Sequence, residues 1–198
     1  KVPIDVSRIP VDLMSASGHK FHGPKGVGFL YVRKGVNIPS FIHGGAQERG
    51  RRAGTENLAG IVGMARALEL SVAKMHENVE KEIHLRNYLV ERVMREIEDV
   101  RYNGSSIYRL PGNASFSFKG VEATALLVLL EEERIIASAG SACNSGSSRL
   151  SHVISAIKVP EEYAIGTIRF TLGEDTSRED IDWTVESLKR NVKLLRMI

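Results

Sequence analysis

Apolar residues recur along this chain with two different rhythms. Alternating or short continuous apolar runs predict strands at VDLMSAS (11–17), GVGFLYV (26–32), ASFSF (114–118), IIASA (135–139) and TIRFTL (167–172). Helical spacing takes over between them. Ile61, Met64, Leu68, Val72 and Met75 predict a helix from about residue 58. Val79, Ile83, Val90, Val93 and Ile97 line one face of a second helix over roughly 77–98, and Glu122–Glu132 forms a third. Ser151 stands where it can cap a short helix, SHVISAI. Thr176-Ser177-Arg178-Glu179 has the form of a capping box, and the helix after it carries Ile181, Val185, Leu188, Val192 and Leu195 as an apolar stripe. The alternation indicates an α/β architecture. The charged stretch near Lys74–Glu82 marks the expected boundary between two domains, 1–75 and 76–198. The first residues, KVPIDV, lack an initiator Met and read as mid-domain sequence, which predicts a fragment or a processed product.

Composition narrows this only slightly. The 198 residues are 42% hydrophobic and 26% charged, enough for a sizeable core. A formal net charge of +3 is too mild to argue for nucleic acid. A nucleic-acid reading would rest only on the basic cluster Arg49, Arg51 and Arg52, with no aromatic platform beside it. The longest apolar run, Ala125–Leu130, is too short to span a bilayer, and no signal peptide is visible. A single cysteine permits no internal disulfide and points to a reducing, cytoplasmic setting. No His/Cys/Asp/Glu set has the spacing of a closed zinc site, and His22, His43 and His152 read as structural.

Two stretches carry candidate chemistry. SGHKFHGPKG sets Lys20 just beyond a strand, beside Ser17, His19 and a Gly/Pro turn. Lys20 is either a solvated loop lysine or an amine that forms an imine with a phosphorylated aldehyde, with Ser17 and His19 as phosphate ligands. SAGSACNSGSS (138–148) holds the lone cysteine, Cys143, in a loop of small polar residues. A buried cysteine needs an apolar cage, and this loop offers none; a thiol that attacks and then carries a sulfur suits it better. Arg169, in RFTLG, reads either as a structural arginine near a strand end or as a fork for an α-carboxylate.

SGHKFHGPKG, GGAQERGRRAGTEN, SAGSACNSGS and RFTLG occur in that order. Together they resemble the NifS/IscS-type cysteine desulfurases, enzymes of the aminotransferase fold type I that use pyridoxal 5'-phosphate to take sulfur from L-cysteine. GTEN and the serine-rich loop are more like this group than the SufS-type branch. The resemblance implies the C-terminal part of the large cofactor-binding domain over 1–75 and most of the small domain over 76–198. It implies that Lys20 holds pyridoxal phosphate, that Ser17 and His19 bind its phosphate, and that Thr55 reaches the phosphate of a neighbouring subunit in a homodimer. The basic cluster 49–52 then either stays solvated or helps present Thr55. Arg169 would grip the substrate carboxylate, and Lys20 would remove the α-proton. Cys143 would take the sulfur as a persulfide for an iron–sulfur scaffold or tRNA-thiolation protein, or share a cluster with that scaffold. The family is longer, and its pyridine-nitrogen aspartate, ring-stacking histidine and two cofactor- and substrate-contacting amides have no counterpart in this sequence. Residues 1–198 alone are therefore expected to bind the cofactor weakly and turn over negligibly. A selenocysteine lyase and a non-catalytic interaction module are the competing expectations.

Overall fold

The computed structural model describes residues 1–140 and 151–197. The chain divides into two units, Val2–His76 and Glu77–Ile198, with Lys1 belonging to the second.

The unit Val2–His76 starts with an antiparallel hairpin. β1 (Leu13–Ser17) pairs with β2 (Gly28–Val32) in the register Leu13↔Val32 to Ser17↔Gly28. Gly28 is required at the turn end of this ladder, because a Cβ there would lie 2.5 Å from the Ala16 carbonyl oxygen. A 3₁₀ turn, Gly18–Phe21, follows β1 directly. A single turn α1 (Gln47–Gly50), with Glu48 and Arg49 in left-handed conformations, precedes the long helix α2 (Leu58–Ala73). The 3₁₀ turn and its exit pack on α2 through small residues. A Cβ on Gly63 would sit 2.9 Å from the Pro24 ring, and Ser71 Oγ donates to the Phe21 carbonyl at 3.2 Å. The expected apolar stripe of α2 is only partly buried: Met64 is covered, whereas Leu68 and Val72 are exposed.

The unit Glu77–Ile198 is a three-stranded antiparallel sheet, β3 (Val100–Tyr102), β4 (Asn113–Phe118) and β5 (Thr167–Thr171), in the order β3-β4-β5. Side chains alternate across a pleated strand. Ala114, Phe116, Phe118, Ile168 and Phe170 therefore fill one face. They pack with Leu89 and Val93 of α3 (Met75–Glu96), Leu126 and Leu130 of α4 (Ala123–Glu132), and Val185 and Leu188 of α7 (Arg178–Leu195). The intervening positions are polar. Asn103 Nδ2 donates to Ser117 Oγ at 2.8 Å, and Ser117 Oγ lies 2.6 Å from Thr167 Oγ1, so this second face is buried yet hydrogen-bonded. Two short helices, α5 (His152–Ala156) and α6 (Glu161–Ala164), lead into β5.

Several expected elements shift. IIASA is not a strand: among the described residues its one ladder contact is a bridge between Ser138 and Arg169. The buried face of α3 runs through Leu85, Leu89 and Val93, while Ile83 is exposed. Ser151 occupies the N-cap of α5 without a side-chain cap bond. The capping box at α7 lies one residue later than expected. Ser177 accepts from the Asp180 N–H at 3.1 Å and Asp180 accepts from the Ser177 N–H at 2.8 Å, while Thr176 is drawn back to the Gly173 N–H. The α7 stripe itself is as expected, with Ile181, Val185, Leu188 and Val192 buried.

Candidate active site

Lys20 stands on the 3₁₀ turn that ends β1, with Ser17 as the N-cap one turn behind it. The turn closes tightly. The Gly18 carbonyl accepts the Gly23 N–H at 2.9 Å, and His22 exits in a left-handed conformation. Gly18 is buried, and a Cβ on it would meet the Val27 carbonyl oxygen at 3.0 Å and that of Pro24 at 3.2 Å. A residue with a side chain could not sit at this point without displacing main chain. The consequence is that Ser17, His19 and Lys20 are all exposed on one short, internally fastened turn. A hydroxyl, an imidazole and an amine so grouped fit a phosphorylated aldehyde: the hydroxyl and imidazole as phosphate donors, the amine as the carbonyl-reactive group. The donor set and the small-residue cradle are thus compatible with pyridoxal phosphate.

Thr55 is exposed on the loop that leads into α2. That loop is held at three points. The Ala53 N–H donates to the Ile42 carbonyl at 3.1 Å, the Gly54 N–H to Gln47 Oε1 at 3.3 Å, and the Gly60 N–H to Asn57 Oδ1 at 3.0 Å. Asn57 is therefore the N-cap of α2 as well as the last residue of GTEN. Of the basic cluster, Arg52 is spent locally, donating to the Ala53 carbonyl at 2.9 Å. Gln47 and Asn57 fasten this loop without belonging to the candidate chemistry that its sequence displays. Asn directly before an apolar-periodic run was a legible capping signal, whereas the Gln47 latch depends on loop geometry and carried none.

Arg169 lies in the other unit, on β5. Its side chain belongs to the polar face of the sheet, opposite Ser115 in register. Its main chain is tied to Ser138, the first residue of the SAGSACNSGSS stretch: Arg169 N–H donates to the Ser138 carbonyl at 2.7 Å and Ser138 N–H returns a bond at 3.1 Å. Cys143 lies outside the described residues. Among the described residues there is no group of three His, Cys, Asp or Glu able to hold a metal ion. Ser17, His19 and Lys20 are thus brought together on one turn, with Thr55 on a separate loop of the same unit.

The family model for class-V aminotransferases matches residues 1–183. Cysteine desulfurase IscS of Dictyoglomus turgidum is 50% identical over 197 residues, covering 100% of this chain and 50% of the relative. A cysteine desulfurase of Nostoc sp. is 42% identical over 198 residues, again covering 50% of the relative. Among solved structures, a NifS-like protein superposes with a TM-score of 0.86 at 36% identity, over 98% of this chain and 49% of that one. A NifS-like protein from Rickettsia africae gives the same score at 28% identity, over 97% of this chain and 50% of that one. The chain spans about half the length of the relatives it matches. The α/β fold is that of these NifS-like neighbours, the pyridoxal-phosphate-dependent fold type I, and the chain belongs to the class-V aminotransferase family.

Proposed function

We propose that this chain is part of a cysteine desulfurase that uses pyridoxal phosphate, with residues 1–75 completing the large cofactor-binding domain and 76–198 forming most of the small one. The reading is supported by the match of essentially this whole chain to half the length of relatives named cysteine desulfurase IscS. The observation that carries it on the molecule is Lys20 on a fastened turn beside Ser17 and His19. Ser17 and His19 hold the phosphate of the cofactor, and Thr55 does so for the neighbouring subunit of a homodimer. Lys20 binds the aldehyde carbon. When bound, the cofactor supplies an electron-accepting ring for the substrate carbon that loses its proton. Lys20 takes that α-proton, and its flexible stem lets one amine both hold the cofactor and move the proton. Arg169 orients L-cysteine through a two-pronged contact with its carboxylate. The Cys143 thiolate attacks the sulfur of the substrate. The new S–S bond forms as the substrate C–S bond breaks, the electron pair stays on carbon, and protonation there together with return of the α-proton from Lys20 yields alanine. The sulfur remains as a persulfide on Cys143 for a cytoplasmic iron–sulfur scaffold or sulfur-acceptor protein.

The test has two arms in the cofactor-loaded enzyme. Borohydride reduction and peptide mapping should find the pyridoxyl group on Lys20; an adduct on Lys25 or Lys34 overturns that assignment. Cys143→Ser should abolish sulfur release while cofactor content is unchanged. Alanine formation at the wild-type rate in that variant overturns the persulfide role.

A further inference from the structure

The loop that runs from Gly44 to Asn57 is wound around one side chain. Of residues 41–50, Gln47 alone is not exposed. Glu48, Arg49 and Gly50 follow it with φ of 49°, 59° and 76°, three successive left-handed residues, two of which carry a Cβ that disfavours this conformation. The turn sends the chain back on itself. The Ala53 N–H then reaches the Ile42 carbonyl, and the Gly54 N–H reaches Gln47 Oε1. Gly45 makes room for that carboxamide: a Cβ there would overlap Oε1 and come within 3.1 Å of Cδ.

The peptide unit between Ala53 and Gly54 is held on both sides. Its carbonyl accepts from Arg52 Nη1 at 2.9 Å, and its N–H donates to Gln47 Oε1 at 3.3 Å. Gly54 has φ of 104°, a conformation that glycine alone enters freely, so its own torsions do little to fix the residue after it. That residue is Thr55. The next fastening along the chain is the Asn57 cap, two residues further on. Thr55 thus stands between two side-chain carboxamides, and the Gln47 carboxamide clamps the residue directly before it.

We propose that Gln47 is a positioning residue for the cofactor phosphate. It acts through Gly54, whose bonded N–H sets where Thr55 presents its hydroxyl. Gln47 itself is turned into the loop, with its carboxamide oxygen spent on main chain. The inference rests on the reading of Thr55 as a phosphate contact, whereas the latch stands on the hydrogen bond and on the fit against Gly45.

The experiment uses the full-length enzyme, freed of cofactor for titration, and three variants. Gln47→Met keeps the length of the side chain and removes the strong acceptor. Gly45→Ala leaves Gln47 in place and pushes its carboxamide off the Gly54 N–H. Thr55→Ala removes the hydroxyl itself. Dissociation constants are measured by absorbance for pyridoxal phosphate and for pyridoxal, which lacks the phosphate, together with amide exchange at Gly54. Gln47→Met should weaken pyridoxal phosphate about fivefold, the size of one net hydrogen bond, leave pyridoxal within about twofold and quicken exchange at Gly54. Gly45→Ala should do the same, so the decision does not depend on Gln47→Met folding. In a Thr55→Ala background, Gln47→Met should add nothing further. Equal weakening of pyridoxal phosphate and pyridoxal overturns the proposal, as does a full additional loss in the Thr55→Ala background. An effect of Thr55→Ala beside none from Gln47→Met or Gly45→Ala overturns this proposal alone. If Thr55→Ala binds pyridoxal phosphate as tightly as the parent, the Thr55 assignment falls and this proposal with it.

Discussion

Between residues 2 and 76, Ala53 and Met64 are the buried apolar side chains among the described residues, whereas Glu77–Ile198 buries a continuous cluster running from Leu85 to Val192. The first unit keeps its shape by main-chain closure: the Gly18–Gly23 turn, the hairpin at Gly28, the Asn57 cap. The second keeps its shape by burial, one sheet face dry and packed by three helices, the other hydrogen-bonded within itself. The candidate chemistry divides along the same line. Ser17, His19, Lys20 and Thr55 sit exposed on fastened turns, and Arg169 projects from the polar face of a sheet whose opposite face is core. An exposed group on a rigid turn can meet a ligand without the fold having to bury it. An arginine on a strand inherits its position from the packing behind it. Substitutions should therefore separate chemistry from stability in the first unit and link them in the second.

The largest effect that sharpens this contrast is expected at Lys20. Lys20→Ala in the cofactor-loaded enzyme removes the covalent anchor and the proton acceptor together. Turnover should drop by about a thousandfold or more. Thermal unfolding of the apo forms should be unchanged, because Lys20 is exposed. A large loss of melting temperature would break the claim that chemistry and stability are separable there.

Phe116→Ala asks the converse. Phe116 is wholly buried at the centre of the second unit, with Tyr102 at a 5.5 Å ring-centroid distance and Phe118 and Phe170 each at 6.3 Å. Truncation should cost about 3–5 kcal/mol in denaturant unfolding. Phe116 directly follows Ser115, the register partner of Arg169, in β4, so substrate KM should rise with it. A stability loss with wild-type KM would show that Arg169 does not depend on the core.

These two cases also mark what the sequence could show. The α7 stripe was legible because a helix with one covered face must repeat its apolar residues every three to four positions. The same rhythm in α2 overstated burial: it says which residues share a face, not what covers that face, and Leu68 and Val72 stay exposed. β3, three residues long, offered no run to detect, and Tyr102 is recruited to the core only by pairing with Phe116. The Ser138–Arg169 bridge joins residues 31 positions apart and leaves no local signature. The site motifs and the Asn57 cap were readable because they lie in short contiguous stretches; the fastenings at Gln47 and Ser138 were not, because each depends on a partner brought in by the fold.

Acid should discriminate between the units more gently. Arg92 on α3 is clasped by Glu96, Asp182 and Glu186 at 2.7 to 2.9 Å, tying α3 to α7. The bonds from Arg92 hold the Glu96 carboxyl down to about 2, from an ordinary 4.5. A carboxyl depressed in the folded state contributes stability that is fully present above its unfolded value and is lost as pH falls through the folded one. The second unit should therefore lose about 1–2 kcal/mol between roughly pH 5 and pH 2 through this group, solvent screening included. Glu96→Gln should be less stable at pH 7 and less acid-sensitive over that window. An identical acid profile for the parent and Glu96→Gln would remove the clasp as a link between the helices.

The smallest effect is expected at Asn57, where the contrast between the units is finest. Asn57 Oδ1 accepts the Gly60 N–H at 3.0 Å and so satisfies one of the amides that the first turn of α2 leaves without a helical partner. Asn57→Ala should cost about 1 kcal/mol, and Asn57→Asp should restore it, since a carboxylate both accepts the bond and favours the positive end of the helix. The global figure says little; its location is what matters. Hydrogen exchange should quicken at residues 58–61 and not at Leu89 or Val93, which lie in the packed unit. Because Asn57 follows Thr55 by two residues, the same variant should weaken phosphate-dependent cofactor retention by about two- to fivefold, as the fastening behind Thr55 loosens. Asp at this position should bring retention back if Thr55 acts through geometry alone. Faster exchange with unaltered retention would instead detach Thr55 from the phosphate and leave Asn57 a helix cap without a part in the site.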